Sequence, residues 1–527
     1  MRDVLALTKY GKIRGDYFDG VYRFLGVRYA KAPVGELRFQ PPVPPDVSPV
    51  IMDAKHYTDK CWQTDTPRIE VPEVANSPYN LINQELVTGN MEMGKGPQSE
   101  DCLSLNVWTP SLTKGQKLPV MVWLHGGGNV AGTPECPHQD GFNMAKKNNV
   151  VMVSVSHRLN LFGYMDLSYL GVEKYAHSAN VGNLDMVAAL QWVHDNIDWF
   201  GGDPDNVTIA GHSGGGGKVL SMYQIEEAKD LFSRGIVMSG VLDDGPETTE
   251  EESRILARTM MDHLGITKEN IDKVFEVPFS DLVGAYRAAQ KVLNPKGINT
   301  GLAPLKNEYF RGFPISDGFC EWSKDKPLML ATTLSEFNFK VHIPVDKKLA
   351  MTEDDKLAMI AERFGERYGE LLDLFKKAYP DHDILDLMYL DAGFRRPTCE
   401  TARIKSLVSS TDTYVYMFAF NMPSEDRMPA WHGADIPFAF WNSEKAPVDN
   451  EPVYGKQNAD AIGNAYLNFI KCGDPNNEYL PEWRPYTAEH RYTMVIDKTN
   501  ELKEAYDEEL IKLYIELCPP LNWSPLN

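Results

Sequence analysis

The sequence has few cysteines, no long apolar run and no excess of basic residues, and each absence excludes a class of protein. Its 527 residues contain seven cysteines, without a C-x-x-C pair or a Cys/His cluster of zinc spacing, so neither a disulfide scaffold nor a zinc site is indicated. No apolar run approaches the ~20 residues that a membrane span needs. The net charge of −21 argues against nucleic-acid binding, because phosphates would be repelled.

The length and composition predict one large folded unit. Hydrophobic residues make up 43% of the sequence, which is enough for a large core. Length alone allows two to four domains, but the sequence has no internal repeat and no low-complexity linker, so we expect a single domain over residues 1–527. The first eight residues hold too short an apolar stretch for a signal peptide and no cleavage-like site, so we expect a cytoplasmic protein in a reducing compartment.

Strand and helix patterns alternate through the middle of the chain. Residues 118–124 and 150–155 are apolar runs of the kind that is buried on both faces of a mostly parallel sheet, and residues 184–199 have helical periodicity. Strands that alternate with helices predict a parallel sheet with crossover helices, and therefore the α/β class. Later strands are predicted at residues 235–239, 327–332, 413–418 and 492–496, and a closing helix at residues 501–517.

Two segments interrupt this alternation with helices. Residues 246–300 and 352–410 are mostly helical in pattern, and we interpret them as insertions that cover one folded body and not as separate domains. Thr248 and Glu251 have the spacing of a capping box near the start of the first segment. Residues 64–98 carry Pro, Asn and Gly without periodicity, which predicts a long irregular loop of the kind that is often functional.

The motif around which the chain is organised is Gly-x-Ser-x-Gly at residues 211–215. A short β-branched run ends there and a helical pattern follows, which is the strand–turn–helix of a nucleophile elbow. The turn forces Ser213 into a strained backbone conformation, and the glycines two before and two after it remove side chains that would clash. Because glycine and serine are common, the motif alone could equally be a glycine-rich turn; the flanking strand and helix favour the elbow.

A second glycine-rich stretch follows the strand at residues 118–124. His125 is followed by Gly126, Gly127 and Gly128. Three glycines after a buried strand allow backbone N–H groups to point together into open space, as in an oxyanion hole that stabilises charge on a carbonyl oxygen. A flexible turn is the alternative, but the elbow in the same chain favours the oxyanion hole.

A serine hydroxyl is a poor nucleophile near neutral pH, so it needs a base and a carboxylate that orients the base. In this order of elements both are expected on loops after later strands. His432 lies in a Pro/Gly loop after one predicted strand and is the favoured base, and Glu336 follows another beside apolar neighbours and is the favoured acid. The rivals are His263, His342, His382 and His490 for the base and Asp317 and Asp435 for the acid.

Together these motifs resemble the type-B carboxylesterase family of α/β-hydrolases, which includes bacterial para-nitrobenzyl esterases and cholinesterases. The resemblance runs nearly from end to end of the chain. It rests on the elbow and on Phe24-Leu25-Gly26-Val27-Arg28-Tyr29-Ala30, Glu100-Asp101-Cys102-Leu103, the run from Asn196 to Ser213, and Gly473-Asp474-Pro475-Asn476.

The resemblance implies the α/β-hydrolase fold, with a mostly parallel central sheet flanked by helices and with helical insertions over the active site. It implies an ester hydrolase that needs no metal or other cofactor and acts on a small-molecule ester as a monomer or homodimer. The residues that match the family's catalytic positions are Ser213 as nucleophile, Glu336 as acid and His432 as base, with the backbone N–H groups of Gly127, Gly128 and Gly214 as oxyanion-hole donors.

The sequence departs from the family pattern near the expected pocket. The residue before the nucleophile is usually Glu and here is His212, the residue after it is usually Ala and here is Gly214, and the usual Asn-Tyr-Arg run is Ser-His-Arg at residues 156–158. We expect His212 to be a packing or hydrogen-bonding variant and not a catalytic residue. In secreted relatives the cysteines that match Cys61 and Cys102 form a disulfide. The sequence does not decide whether these two cysteines form one here.

The predicted function is hydrolysis of carboxylic esters through an acyl-enzyme. An interaction domain with this fold is one alternative, but such relatives usually lose a triad residue and this chain keeps all three. An amidase or a thioesterase would use the same triad, so the triad does not separate either from an esterase. A lid-bearing lipase is less favoured, because no strongly amphipathic surface helix stands out.

Overall fold

A computed structural model describes residues 1–63, 97–241, 248–336, 341, 343–423, 427–445 and 453–518 of the chain. The irregular loop predicted at residues 64–98 lies almost entirely outside the described residues, and His342 lies outside them as well. In the part of the chain that is described, no helix is both long and apolar enough to cross a membrane.

Strands are distributed along nearly the whole described chain. In chain order they are β1 Arg2–Thr8, β2 Gly11–Phe18, β3 Val21–Arg28, β4 Met52–Asp53, β5 Lys60–Cys61, β6 Gln98–Ser99, β7 Ser104–Thr109, β8 Leu118–Leu124, β9 Val151–Val155, β10 Gly202–His212, β11 Arg234–Met238, β12 Leu328–Thr333, β13 Thr413–Phe418, β14 Tyr492–Ile496 and β15 Glu501–Glu504.

One large sheet contains all of these strands except β5 and β6, which pair with each other. Its order is β1-β2-β3-β7-β9-β8-β10-β11-β12-β13-β14-β15, with β4 beside β2. Neighbours from β9 through β14 are parallel, whereas β1, β2, β3, β7 and β15 pair antiparallel at the two ends of the sheet. The predicted α/β-hydrolase fold with a mostly parallel central sheet is therefore confirmed.

Helices follow the strands and cover the sheet. Within the described residues the α-helices are α1 Phe142–Asn148, α2 Asn160–Tyr164, α3 Val181–Asn196, α4 Gly214–Met222, α5 Glu250–His263, α6 Phe279–Leu293, α7 Pro314–Asp317, α8 Val345–Ala350, α9 Glu353–Phe364, α10 Tyr368–Ala378, α11 Arg395–Val408, α12 Ile436–Ala439, α13 Tyr454–Cys472 and α14 Glu508–Leu517. The longer 3₁₀ segments are Ile197–Phe200, Lys268–Phe275 and Ile384–Tyr389.

Strand β8 shows why the apolar runs form the centre of the sheet. Val120 and Val122 pack in the core on one face, whereas Met121 and Trp123 pack in the core on the other face, and all four are fully buried. Side chains alternate between faces along a strand, so a continuous apolar run requires cover on both faces. Helices on both sides of a parallel sheet supply that cover.

Each of the two helical segments packs into a separate hydrophobic cluster together with residues from the rest of the chain. Helices α5 and α6 lie within residues 246–300 and pack around residues that include Leu256 and Leu282. Helices α9 to α11 lie within residues 352–410, and α9 and α10 pack around residues that include Leu371. That these segments are insertions over an active site stays a prediction.

Two details of the sequence prediction are wrong. Residues 501–517 do not form one helix, because β15 adds antiparallel to β14 before α14 begins at Glu508, so edge pairing overrides the local helical pattern. The capping box of α5 is formed by Thr249 and Glu252, one residue later than predicted, because the helix begins at Glu250.

Cys61 and Cys102 are buried free thiols.

His382 links the second helical segment to the end of β14. Its Nδ1 lies 3.2 Å from Asp386 Oδ2 and its Nε2 lies 2.9 Å from Asp497 Oδ2, and the ring is almost fully buried. Burial opposes a charge on the imidazole, but the hydrogen bonds to both carboxylates outweigh it and raise the pKa of His382 to about 9. Below that pH the charged imidazole therefore forms ion pairs with both aspartates.

We predict that His382→Gln lowers the free energy of unfolding by about 3 kcal/mol near pH 6, and by progressively less as the pH rises. The folded-state pKa exceeds the unfolded value of about 6.5, so the stabilisation is complete below that value and is lost as the pH rises through about 9. Urea unfolding followed by tryptophan fluorescence at several pH values measures this difference.

His490→Gln is the matched control, because His490 contacts Glu504 at the exposed surface and such pairs contribute about 0–1 kcal/mol. If the loss of unfolding free energy in His382→Gln stays constant from about pH 6 to about pH 10, the conclusion that a charged His382 stabilises this contact is wrong.

Candidate active site

Ser213 occupies a sharp turn between β10 and α4. Its φ of 56° and ψ of −129° are a strained combination for a residue with a side chain. The turn is possible because the neighbours are glycines: a Cβ at Gly215 would lie 2.0 Å from the Leu124 carbonyl oxygen, and a Cβ at Gly211 would lie 2.3 Å from the Gly215 carbonyl oxygen. The backbone N–H of Ser213 donates to the Met238 carbonyl at 2.8 Å, which fixes the turn to the next strand.

The glycine run after β8 lies directly against this turn. Gly127 and Gly128 have φ values of 93° and 60°, the left-handed region that favours glycine. A Cβ at Gly214 would lie 2.5 Å from the Gly128 nitrogen, and a Cβ at Gly126 would lie 3.4 Å from Ser213 Cβ. The structure therefore brings the three predicted donor glycines and the predicted nucleophile together.

Glu336 and His432 are also in direct contact. His432 Nδ1 lies 2.6 Å from Glu336 Oε2, and the backbone N–H of His432 donates to the Glu336 carbonyl at 2.7 Å. Glu336 follows β12 and is completely buried, whereas His432 follows β13 and retains 15% of its side-chain exposure. These loops leave the sheet at the carboxyl ends of neighbouring parallel strands, which is where α/β sheets hold their sites.

Two further residues hold the Glu336 carboxylate. Ser239 Oγ donates to Glu336 Oε1 at 2.7 Å, and the Thr333 backbone N–H donates to the same oxygen at 2.8 Å. Neither residue is among those predicted from the sequence. Ser239 follows β11 directly, so its position at the carboxyl end of a predicted parallel strand was the signal that could have identified it.

Burial sets the charge state of the pair. It raises the pKa of Glu336, although the hydrogen bonds from Ser239 and Thr333 oppose that change, and it lowers the pKa of His432 to about 3. Removal from water penalises the charged form of each group. The imidazole is therefore uncharged near neutral pH, as a group that accepts a proton must be.

The rival acids do not contact this imidazole. Asp317 is exposed and bonds Lys306. Asp435 is fully buried three residues after His432, but its carboxylate accepts a hydrogen bond from the Tyr416 hydroxyl at 2.7 Å. Burial raises the pKa of Asp435 to about 7. The contact geometry favours Glu336.

The described rival bases lie elsewhere. His263 is exposed in the last turn of α5, His490 pairs with an exposed carboxylate, and His382 is held between two aspartates. Within the described residues, no group of three or more His, Cys, Asp or Glu side chains is arranged to hold a metal ion.

His212 places a second imidazole at this site. Its ring centroid lies 4.3 Å from that of His432, with 48° between the ring planes. Its Nε2 is buried, and no residue in the described ranges forms a hydrogen bond with it. Burial lowers the pKa of His212 well below its ordinary value, and the neighbouring His432 lowers it further. The site therefore contains a second neutral imidazole beside His432.

Known sequences that resemble this chain over nearly its whole length include carboxylesterases. A sequence model of the carboxylesterase family matches residues 2–513. The para-nitrobenzyl esterase of Bacillus subtilis is 31% identical over 519 residues, which cover 94% of this chain and 95% of that protein. The liver carboxylesterase of Sus scrofa is 30% identical and covers 95% of this chain and 91% of that protein.

Solved structures agree with the sequence comparison. An esterase from anaerobic Clostridium hathewayi that can hydrolyze aliphatic aromatic polyesters has a TM-score of 0.88 and 36% identity, with 98% of both chains covered. A PNB esterase has a TM-score of 0.73 and 28% identity, with 97% of this chain and 99% of that chain covered. The similarity therefore extends over the whole fold and is not confined to the elbow.

We predict that His212→Glu raises the pKa of His432, because a carboxylate next to the imidazole stabilises its protonated form, by about 1–3 units for contacts this close. The predicted base, His432, must be neutral to accept a proton, so the acidic limb of kcat/KM for ester hydrolysis should move to higher pH. The measurement is the pH dependence of kcat/KM for wild type and variant.

His212→Gln is the control, because it changes the ring without adding charge and should leave the acidic limb in place. An unchanged limb in His212→Glu would show that residue 212 does not share the electrostatic environment of His432.

Proposed function

The chain belongs to the carboxylesterase family and is a carboxylic ester hydrolase, and we propose that it cleaves esters through an acyl-enzyme formed on Ser213. The observation that carries this proposal is the 2.6 Å contact between His432 and Glu336, in which the His432 ring lies 4.3 Å from the ring of His212, the residue before Ser213. A serine, an imidazole and a carboxylate in this relation are the groups that nucleophilic catalysis requires.

In the first half of the proposed cycle, Ser213 Oγ attacks the ester carbonyl while His432 Nε2 accepts the hydroxyl proton. Glu336 accepts the hydrogen bond from Nδ1, which fixes the tautomer and stabilises the imidazolium. The backbone N–H groups of Gly127, Gly128 and Gly214 bind the oxyanion of the tetrahedral intermediate. Collapse of that intermediate breaks the ester C–O bond, and His432 protonates the leaving alkoxide.

In the second half, water replaces the alcohol. His432 removes a proton from the water, which attacks the acyl carbonyl, and the same N–H groups bind the second oxyanion. The proton returns to Ser213 Oγ as the carboxylic acid leaves. Each proton stays within the contact between His432 and the reacting oxygens, so the cycle requires no group from outside the site.

We propose small-molecule esters as the substrates and the cytoplasm as the compartment, for a monomer or homodimer that does not bind nucleic acid. The seven cysteines are free thiols, which suits a reducing compartment. The similarity to the Clostridium hathewayi esterase adds aliphatic aromatic polyesters to the esters worth testing. The segments at residues 246–300 and 352–410, within a single domain, are proposed to wall the site.

We predict that Ser213→Ala lowers kcat for para-nitrophenyl esters by about 10⁴–10⁶-fold, because alanine has no hydroxyl to attack the ester carbonyl. A series from acetate to decanoate measures turnover and gives the size of the acyl pocket from the chain-length optimum. Ser221→Ala is the matched control. Ser221 is a buried serine of α4, the helix that follows Ser213, and its hydroxyl donates to the Gly217 carbonyl. Turnover retained in Ser213→Ala would refute the assignment.

We predict that Glu336→Gln lowers kcat by about 10³–10⁴-fold with little change in KM, because the amide neither stabilises the imidazolium nor fixes its tautomer. The comparison variant is Asp435→Asn, which removes another buried carboxylate that interacts with Glu336. Steady-state kinetics on one ester give both losses. A larger loss in Asp435→Asn would transfer the role of the acid to that residue.

A further inference from the structure

A lysine is buried on the helix that follows the proposed nucleophile. Lys218 lies on α4, one helical turn after Gly214, and is only 2% exposed. Among the residues that the structure describes, no carboxylate forms an ion pair with its amine. Burial lowers the pKa of Lys218 to about 7. Burying an amine without a carboxylate partner costs free energy, so the burial of Lys218 requires an explanation in the contacts that it makes.

The amine contacts the start of the glycine run. Lys218 Nζ donates a hydrogen bond of 2.9 Å to the carbonyl oxygen of His125, the first residue after β8. His125 Nδ1 in turn lies 2.9 Å from the Gly126 carbonyl oxygen. A carbonyl oxygen only accepts, so the His125 proton is on Nδ1. The His157 ring stacks on the His125 ring at 4.9 Å and 13°, which fixes the orientation of that ring.

These contacts determine the direction of the backbone. The peptide unit is planar and trans, so its C=O and N–H point to opposite sides. A hydrogen bond to the Gly126 carbonyl therefore directs the Gly127 N–H to the other side of the chain. The hydrogen bond from Lys218 fixes the peptide plane immediately before it. Two consecutive planes leading to a proposed oxyanion donor are thus held by Lys218 and His125.

We propose that Lys218 is a positioning residue that holds the glycine run in the geometry in which its N–H groups bind the tetrahedral intermediate. This inference rests on the proposed function of the same site. Lys218 connects the two elements that must stay aligned, because α4 begins at Gly214 and the run from His125 leads to Gly127 and Gly128. The amine donates a hydrogen bond whether it is charged or neutral, so the contact does not depend on its titration.

The test is Lys218→Met, which keeps most of the side-chain volume and removes the donor. We expect kcat to fall by about 10- to 100-fold and KM to change by less than about threefold, because the lost alignment affects the transition state and not the bound ester. Lys218→Gln keeps a donor on a side chain one atom shorter, and its kcat should lie between those of wild type and Lys218→Met.

Lys405→Met is the matched control. Lys405 is also fully buried, its amine also donates to a backbone carbonyl, that of Lys324, and burial also lowers its pKa to about 7. It lies in the last turn of α11 and is not part of the proposed site. A purely structural cost of removing a buried amine would appear in both Met variants, whereas the loss of kcat should appear only in Lys218→Met.

A second measurement separates alignment from stability. A trifluoromethyl ketone accepts Ser213 Oγ at its carbonyl carbon, and the resulting oxyanion lies where the intermediate has its charge. The corresponding methyl ketone is a weak carbonyl ligand that stays in the ground state. Lys218→Met should weaken binding of the trifluoromethyl ketone by the same factor as kcat/KM and change methyl ketone binding by less than about threefold.

The outcomes are distinct. Equal kinetics in Lys218→Met and Lys405→Met, or equal loss of both ketones, would overturn the positioning role. Should Lys218→Met fail to fold, a Lys218→Gln variant with wild-type kcat and wild-type trifluoromethyl ketone affinity would overturn it as well. No turnover by the folded wild type, or turnover retained in Ser213→Ala, would instead refute the proposed function and this inference with it.

Discussion

The site depends on the close approach of two backbones, the end of β8 and the first turn of α4. No side chain fits between them: a Cβ at Gly215 would lie 2.0 Å from the Leu124 carbonyl oxygen, and one at Gly214 would lie 2.4 Å from Gly128 Cα. Four consecutive glycines from Gly214 to Gly217 begin a helix despite the conformational entropy that each one costs. That cost is accepted because the proposed nucleophile and the proposed oxyanion donors belong to different chain segments that must touch.

The close contact between these two backbone segments explains how much of the site can be predicted from the sequence. The glycines at the elbow and after β8 are visible as motifs, because backbone contact requires glycine and little else. The long apolar strands are equally visible, since burial on both faces leaves a continuous apolar run. The resemblance to a family then indicated Glu336 and His432, which composition and periodicity alone had left among rivals.

The supporting residues could not be predicted in the same way. Ser239 and Lys218 contact their partners across elements that are far apart in sequence, and neither residue type has a pattern that indicates a buried hydrogen bond. The closing segment shows the same limitation in the fold. Glu501–Glu504 reads locally as helix but forms a strand, because the edge of β14 offers unpaired backbone groups that only the assembled sheet reveals.

The buried arginines pair with carboxylates, and the contrast with Lys218 clarifies the chemistry of the site. Arg158 forms a bidentate ion pair with Asp185, with hydrogen bonds of 2.7 and 2.8 Å. Arg395 forms another with Asp507, with hydrogen bonds of 2.7 and 2.9 Å. Arginine stays charged at any accessible pH, so its burial requires a carboxylate. Lys218, by contrast, has a carbonyl partner only.

A lysine tolerates that environment because it can lose its proton, and burial lowers the pKa of Lys218 to about 7. The imidazoles of His125, His157 and His212 near the elbow are kept neutral by burial in the same way, as is that of His432. The elbow is thus surrounded by polar groups that donate and accept hydrogen bonds with little fixed charge. In such surroundings the fixed N–H dipoles stabilise a developing oxyanion effectively, because few other charged groups compete for them.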